Sequence, residues 1–506
     1  MLFNSLPFYI FFPLVTLGYF LLPHRFRWIW LLSASAYFYM AFIPVYILIL
    51  GVTILVDFAA GLAIEKAEGQ RRRLFLILSI IANLGMLGFF KYFNFFNANA
   101  AAIAHWLDWN YPIQFLSLAL PIGLSFHTFQ SMAYTIEVYR GNQKAERHLG
   151  LLALYVLFYP QLVAGPIERP GHMLPQFHEE HKFQYDNFAD GLRLMAWGFF
   201  KKLVIADRLA LLVNPLYTNP GSYSGPLLAL GALAFAYQIY CDFSGYSDIA
   251  IGAARVMGFR LMNNFDRPYS ARSVAEFWQR WHISLSSWFR DYIFFPMRRA
   301  LLRRKVNLPG WLNQMLPTMI TMLLSGLWHG ANWTFVVWGG LHGLFLTVEL
   351  WTTHLRDASA RTLRLDTVPR LRSALQTVSV FLLVSFALIF FRAPSLSAAL
   401  DYLQRIGQGW DVSQTSLWLE QIRVTLGQNY PLAILFPSLS GAGVLILTLV
   451  QILILEIVQL RQKDTPLERV LAGQTALVRW GAYYALAFNI ILFGSFLPST
   501  FIYFQF

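Results

Sequence analysis

The sequence predicts an all-α, polytopic membrane protein, and three observations carry that expectation. Of its 506 residues, 57% are hydrophobic and only 13% are charged, where a soluble domain carries about 25% charged residues. The apolar residues gather in blocks of roughly 20, the length a helix needs to cross a hydrocarbon core about 30 Å thick. The blocks also lack the alternation of barrel strands, and in lipid only helices and closed barrels satisfy their own backbone.

The elements follow in order. The opening "MLFNSLPFYIFF" lacks the positively charged region of a cleavable leader, so it reads as part of the mature chain. Clear apolar blocks occupy residues 8–22, 42–64, 74–96, 227–250, 375–391, 433–458 and 482–497. Basic stretches at 23–27, 65–73 and 140–148 fall in alternate loops, while the loops around 43–46 and 97–112 hold no Lys or Arg. Excess Lys and Arg marks the cytoplasmic side, so the N-terminus is expected outside. Basic segments at 298–305, 354–372 and 461–469 continue the cytoplasmic side and put Phe506 outside. The net charge of +13 is thereby read as topology, not as a nucleic-acid footprint. No linker separates two domains, so residues 1–506 are expected to form a single membrane domain of roughly ten to twelve spans.

Two regions resist an up-and-down trace. Between about 151 and 225 comes the polar, proline-rich "AGPIERPGHMLPQFHEEHKFQYDNF", then "GLRLMAWGFFKKLVIADRLALLV", which suits either an interfacial helix or a span with snorkelling lysines. Residues 251–310 are strongly basic yet rich in Trp and Phe. Irregular backbone at membrane depth must be buried in protein or line a cavity. A central, cytoplasm-facing funnel with re-entrant or interfacial helices is therefore expected.

Polar residues inside this apolar frame are the candidates for chemistry. His329 stands in "LLSGLWHGANWTFVVWGGLHG", where an ionisable side chain is functional by default. Gly326 and Gly330 leave room beside it for a substrate or a backbone. An imidazole titrating near neutrality suits a base, and the residues alone leave catalysis and proton relay both open. His282 lies in "FWQRWHISLSSWFRDY", which fits an interface helix equally with a funnel wall whose Arg280 and Arg290 attract an anionic donor. Asp242 and Asp248 are candidate ion-pair partners for those arginines. Cys241, the only cysteine, excludes an internal disulfide and a cysteine-based metal cage, and the adjacent Asp242 disfavours a thiolate nucleophile. His178 and His181 are three apart, without the zincin spacing of four, so no metal site is expected. His342 reads as structural.

"YCDFSGYSDIAIG", "FWQRWHISLSSWFRDYIFFPM" and "LSGLWHGANWTFVVWGGLHG", in this order and spacing, resemble the bacterial membrane-bound O-acyltransferases, in the alginate O-acetylation branch. The opening "MLFNSLPFYIFF" and the terminal "FIYFQF" resemble that branch too, so the similarity runs along essentially the whole chain. The resemblance implies that His329 is catalytic and His282 the second important histidine. It implies a cytoplasmic acyl thioester, acetyl-CoA or a related donor, as co-substrate, with no bound cofactor. His329 would then take the proton of an acceptor hydroxyl, with Trp328 and Asn332 as candidate donors to the developing oxyanion. The expected setting is the bacterial inner membrane, with the lipid bilayer, the acyl donor and a periplasmic acetyltransferase or other polysaccharide-modifying protein as partners, and no nucleic acid. The alternative from another class is a proton-coupled transporter or flippase with an intramembrane histidine relay.

Overall fold

The computed structural model describes residues 1–117, 121–303, 309–411, 415–426, 441–462, 467–496 and 501–502. Among the described residues every regular element is helical and there is no strand. Among the described residues seven helices are long and apolar enough to cross a membrane: Tyr46–Lys66, Gly69–Trp106, Gly225–Val256, Trp333–Trp351, Pro369–Arg392, Gly443–Arg461 and Ala476–Phe493. The first apolar block forms a shorter helix, Leu6–Leu21. Six of the seven overlay apolar blocks read from the sequence, while Trp333–Trp351 was hidden by its polar His342 and paired glycines. Residues 433–440 and Phe506, and with Phe506 the expected outside location of the C-terminus, lie outside the described residues.

The chain forms two compact units, Met1–Met195 with Ser247–Met262, and Ala196–Tyr246 with Asn263–Phe506. In the first unit, left-handed Gly123 (φ 77°) and Gly141 (φ 80°) bracket the helix Leu124–Arg140, whose residues are almost all buried. Glycine reaches that conformation without the Cβ penalty. A polar clasp joins three helices: Ser79 Oγ and Asn83 Nδ2 donate to Asp57 Oδ1 at 2.7 and 2.9 Å, and Ser79 Oγ lies 3.1 Å from Thr135 Oγ1. The proline-bracketed "AGPIERP" loop also belongs here. Its fully buried Glu168 accepts from the backbone N–H of Met262 at 2.5 Å and pairs with His172 Nδ1 at 2.7 Å. A buried loop of irregular backbone needs such partners. His178 pairs with Glu146 (2.9 Å), and His181 Nε2 meets the Gln176 carbonyl (2.9 Å).

The second unit is built on the hairpin of Gly310–His329 and Trp333–Trp351, with Pro369–Arg392 beside it. Gly326 and Gly339 face each other across the hairpin. A Cβ on Gly326 would collide with the Phe335 carbonyl, and one on Gly339 with that of Met322. Small residues let two helices in a membrane approach this closely. The space expected beside Gly326 and Gly330 for a substrate is thus filled by the protein itself, at Gly330 by the Phe335 ring. In the lysine-bearing segment the lysines do not snorkel outward. The segment winds as a π-helix over Phe200–Ala206, and Lys201 and Lys202 turn inward and are buried.

Candidate active site

The basic, aromatic segment after residue 262 folds as two seven-residue helices, Val274–Arg280 and Ile283–Phe289, broken at Trp281 and His282. Ser273 caps the first by accepting from the Glu276 N–H. His282 caps the second with a left-handed backbone, φ 43° and ψ 54°. This conformation is uncommon for a residue with a Cβ, and such strain persists only where the surroundings over-determine it.

The surroundings here centre on Asn264. Its carbonyl accepts from the Ile283 N–H at 2.9 Å, while its side-chain Oδ1 accepts from Ser284 Oγ at 2.9 Å and Ser284 N at 3.3 Å. His282 Nδ1 lies 3.1 Å from the same Oδ1. An oxygen already accepting from two donors assigns the imidazole proton to Nδ1 and the lone pair to Nε2. The ring is completely buried, with Phe243 edge-on at 4.6 Å between centroids. His282 lies outside the seven candidate spans, and burial lowers its pKa, so it is neutral near pH 7.

His329 is the last residue of Gly310–His329 and is also buried. Trp328, Trp338 and Phe391 surround its ring at centroid distances of 5.0, 5.0 and 5.3 Å. The fold brings His282 and His329 together, with ring centroids 6.4 Å apart, and places Trp328 6.1 Å from His282. Two imidazoles at this separation, walled by aromatic rings, can share one reacting group in a dry setting.

The other candidates stand differently. Asn332 caps Trp333–Trp351: its Oδ1 accepts from the Thr334 N–H at 3.1 Å and its Nδ2 donates to the Pro394 carbonyl at 3.0 Å. One of the two amide N–H groups is thereby engaged, and the other is not accounted for by these bonds. Arg280 donates to Ser270 Oγ at 2.7 Å and pairs with Glu276, one helical turn back. Arg290 is mostly exposed and pairs with Asp291 at 3.0 Å. Neither arginine meets Asp242, contrary to the expected ion pairs. Asp242 instead binds Lys202 Nζ at 2.6 Å and accepts from the Ile502 N–H at 2.8 Å, and Lys202 also reaches Asp207 at 2.9 Å. Asp248 belongs to the other compact unit, and Cys241 is wholly buried in the apolar core. His342 is buried among Phe277, Trp278, Trp338 and Phe345. Asn264, Lys202 and Phe391 escaped the sequence reading because each acts through a partner distant in the chain. Only Lys202, charged within an apolar run, carried a visible signal.

Comparison with known proteins places the chain in a family. The family model described as MBOAT, membrane-bound O-acyltransferase family, matches residues 78–390. The chain is 39% identical over 406 residues to the "probable alginate O-acetylase AlgI" of Azotobacter vinelandii, covering 79% of this chain and 76% of that protein. It is 35% identical over 438 residues to a peptidoglycan O-acetyltransferase of Helicobacter pylori, covering 80% and 79%. A teichoic acid D-alanyltransferase of Streptococcus thermophilus is 32% identical over 238 residues, 45% of this chain and 56% of its own.

Proposed function

Because the chain belongs to the membrane-bound O-acyltransferase family and is an O-acyltransferase, we propose that it moves an acetyl group from a cytoplasmic acyl thioester to a hydroxyl, for O-acetylation of an exported, alginate-like polysaccharide. The observation that carries this reading is the pair of buried imidazoles, His282 and His329, 6.4 Å apart. Family membership sets aside the transporter alternative.

In the proposed step the acceptor hydroxyl gives its proton to His329 while its oxygen attacks the thioester carbonyl. A C–O bond forms, the C–S bond breaks, and the thiolate leaves with the proton that His329 took up. His282, with its lone pair at Nε2, orients the donor by accepting a hydrogen bond from it. The indole N–H of Trp328 and the second amide N–H of Asn332, whose first is engaged by Pro394, are the candidate donors to the oxyanion. Fixed donors in a dry site act more strongly than in water. Acetyl-CoA is the proposed donor, the bacterial inner membrane the setting, and residues 1–506 a single catalytic domain with its basic loops cytoplasmic and its N-terminus outside. A periplasmic acetyltransferase would complete polymer modification. The relatives named for alginate and peptidoglycan acetylation support the acetyl group and the polymer class.

The test is acetyl transfer by membranes bearing His329→Ala or His282→Ala. Loss of a general base lowers rate by about 10²–10⁴-fold, and that range is expected for His329→Ala. Full activity in a stably expressed His329→Ala chain would remove the reading.

A further inference from the structure

Beyond His329 lies a small cavity that the proposed step does not use. It measures about 10 Å³ and is lined by Ile239, Trp281, Trp338, Val384, Leu388 and Phe391, with His342 and Phe277 at its edge. That is room for roughly one water-sized or methyl-sized group. Trp338 and Phe391 have two roles here: both line the cavity, and both pack edge-on against the His329 ring. They also meet each other edge to face at 5.1 Å between centroids. The two rings thus contact the imidazole and also line the vacant space, and can act as a partition between the two.

An acyl group held at His329 with its alkyl end turned toward Trp338 and Phe391 would meet this partition. Acetyl ends in a methyl and needs no more space, whereas each added methylene must displace a ring. We propose that Trp338 and Phe391 set the acyl length, restricting transfer to acetyl, and that the cavity behind them is a blind extension that longer acyl groups would occupy if the partition were thinned. The inference rests on the reading that His329 handles the acyl carbonyl.

The test uses the full-length chain purified in detergent, with acetyl-, propionyl- and butyryl-CoA as probes. Thiol release and thermal stabilisation are read for each. Wild type is expected to favour acetyl. Phe391→Ala should raise the butyryl-to-acetyl ratio at least tenfold. Leu388→Ala, which enlarges the cavity without thinning either ring, should leave the wild-type profile unchanged, yet raise the ratio further when combined with Phe391→Ala. Phe391→Leu serves where the alanine variant does not fold. A folded Phe391 variant with an unchanged ratio overturns the inference while leaving the acyltransfer reading intact. So does a Leu388→Ala profile shifted as far as that of Phe391→Ala, because the cavity would then already be open to the site. A wild-type chain that neither turns over acetyl-CoA nor is stabilised by it overturns the donor reading, and this inference with it.

Discussion

At His282 the left-handed backbone costs about 1–3 kcal/mol, and the cost is met by Asn264, which holds the ring and the following turn at once. Replacing Asn264 by Leu removes the acceptor and frees the tautomer. Acyl transfer is expected to fall about 10–100-fold, on the scale of losing a second-tier hydrogen bond to a functional histidine. Asn264→Asp keeps an oxygen opposite Nδ1 and should retain more activity than Asn264→Leu. Equal loss in the two, at equal melting temperature, would show that the acceptor is immaterial. Lys202 poses the opposite problem, a buried cation held between two carboxylates. Lys202→Met strips both acids of their lysine, and breaking a buried pair from one side costs about 3–5 kcal/mol. A large drop in thermal midpoint is the expected readout.

Among the elements, the hairpin that carries His329 depends on the absence of side chains at its crossing. Gly326→Ala drives a methyl into the Phe335 carbonyl, so the helices must part and His329 must move with them. Activity and melting temperature should fall together. Gly310→Ala at the start of the same helix meets nothing within 4 Å and should be neutral or slightly stabilising, since alanine is the better helix former by about 1 kcal/mol. In the first unit the Glu168 carboxylate raises the pKa of His172 through their hydrogen bond. The sign follows from linkage. A raised histidine stabilises fully below its unfolded value of about 6.5 and loses that contribution as pH climbs through the folded value. The melting-temperature gap between wild type and His172→Gln should be widest below about pH 6.5 and narrow as the pH rises beyond it.

For the whole molecule, the spans were legible because lipid demands long apolar helices, and composition alone reveals them. The two histidines were legible for the same reason, as titratable rings in apolar company. What the sequence concealed depends on chain segments meeting. Asn264 is unremarkable until it pairs with residues 282–284, and Asn332 reads only as an oxyanion donor until it is also found capping a helix on one side and holding Pro394 on the other. From the sequence Asp242 reads as a candidate partner of Arg280 or Arg290, whereas its partner Lys202 lies in an earlier element. That last arrangement bears on biogenesis. Lys202 and Asp207 are neighbours within one stretch, so they can neutralise each other as soon as that stretch leaves the ribosome, before the helix bearing Asp242 has been made. The charged segment is thus partnered during its own insertion, and Asp242, arriving later, secures a lysine already in place.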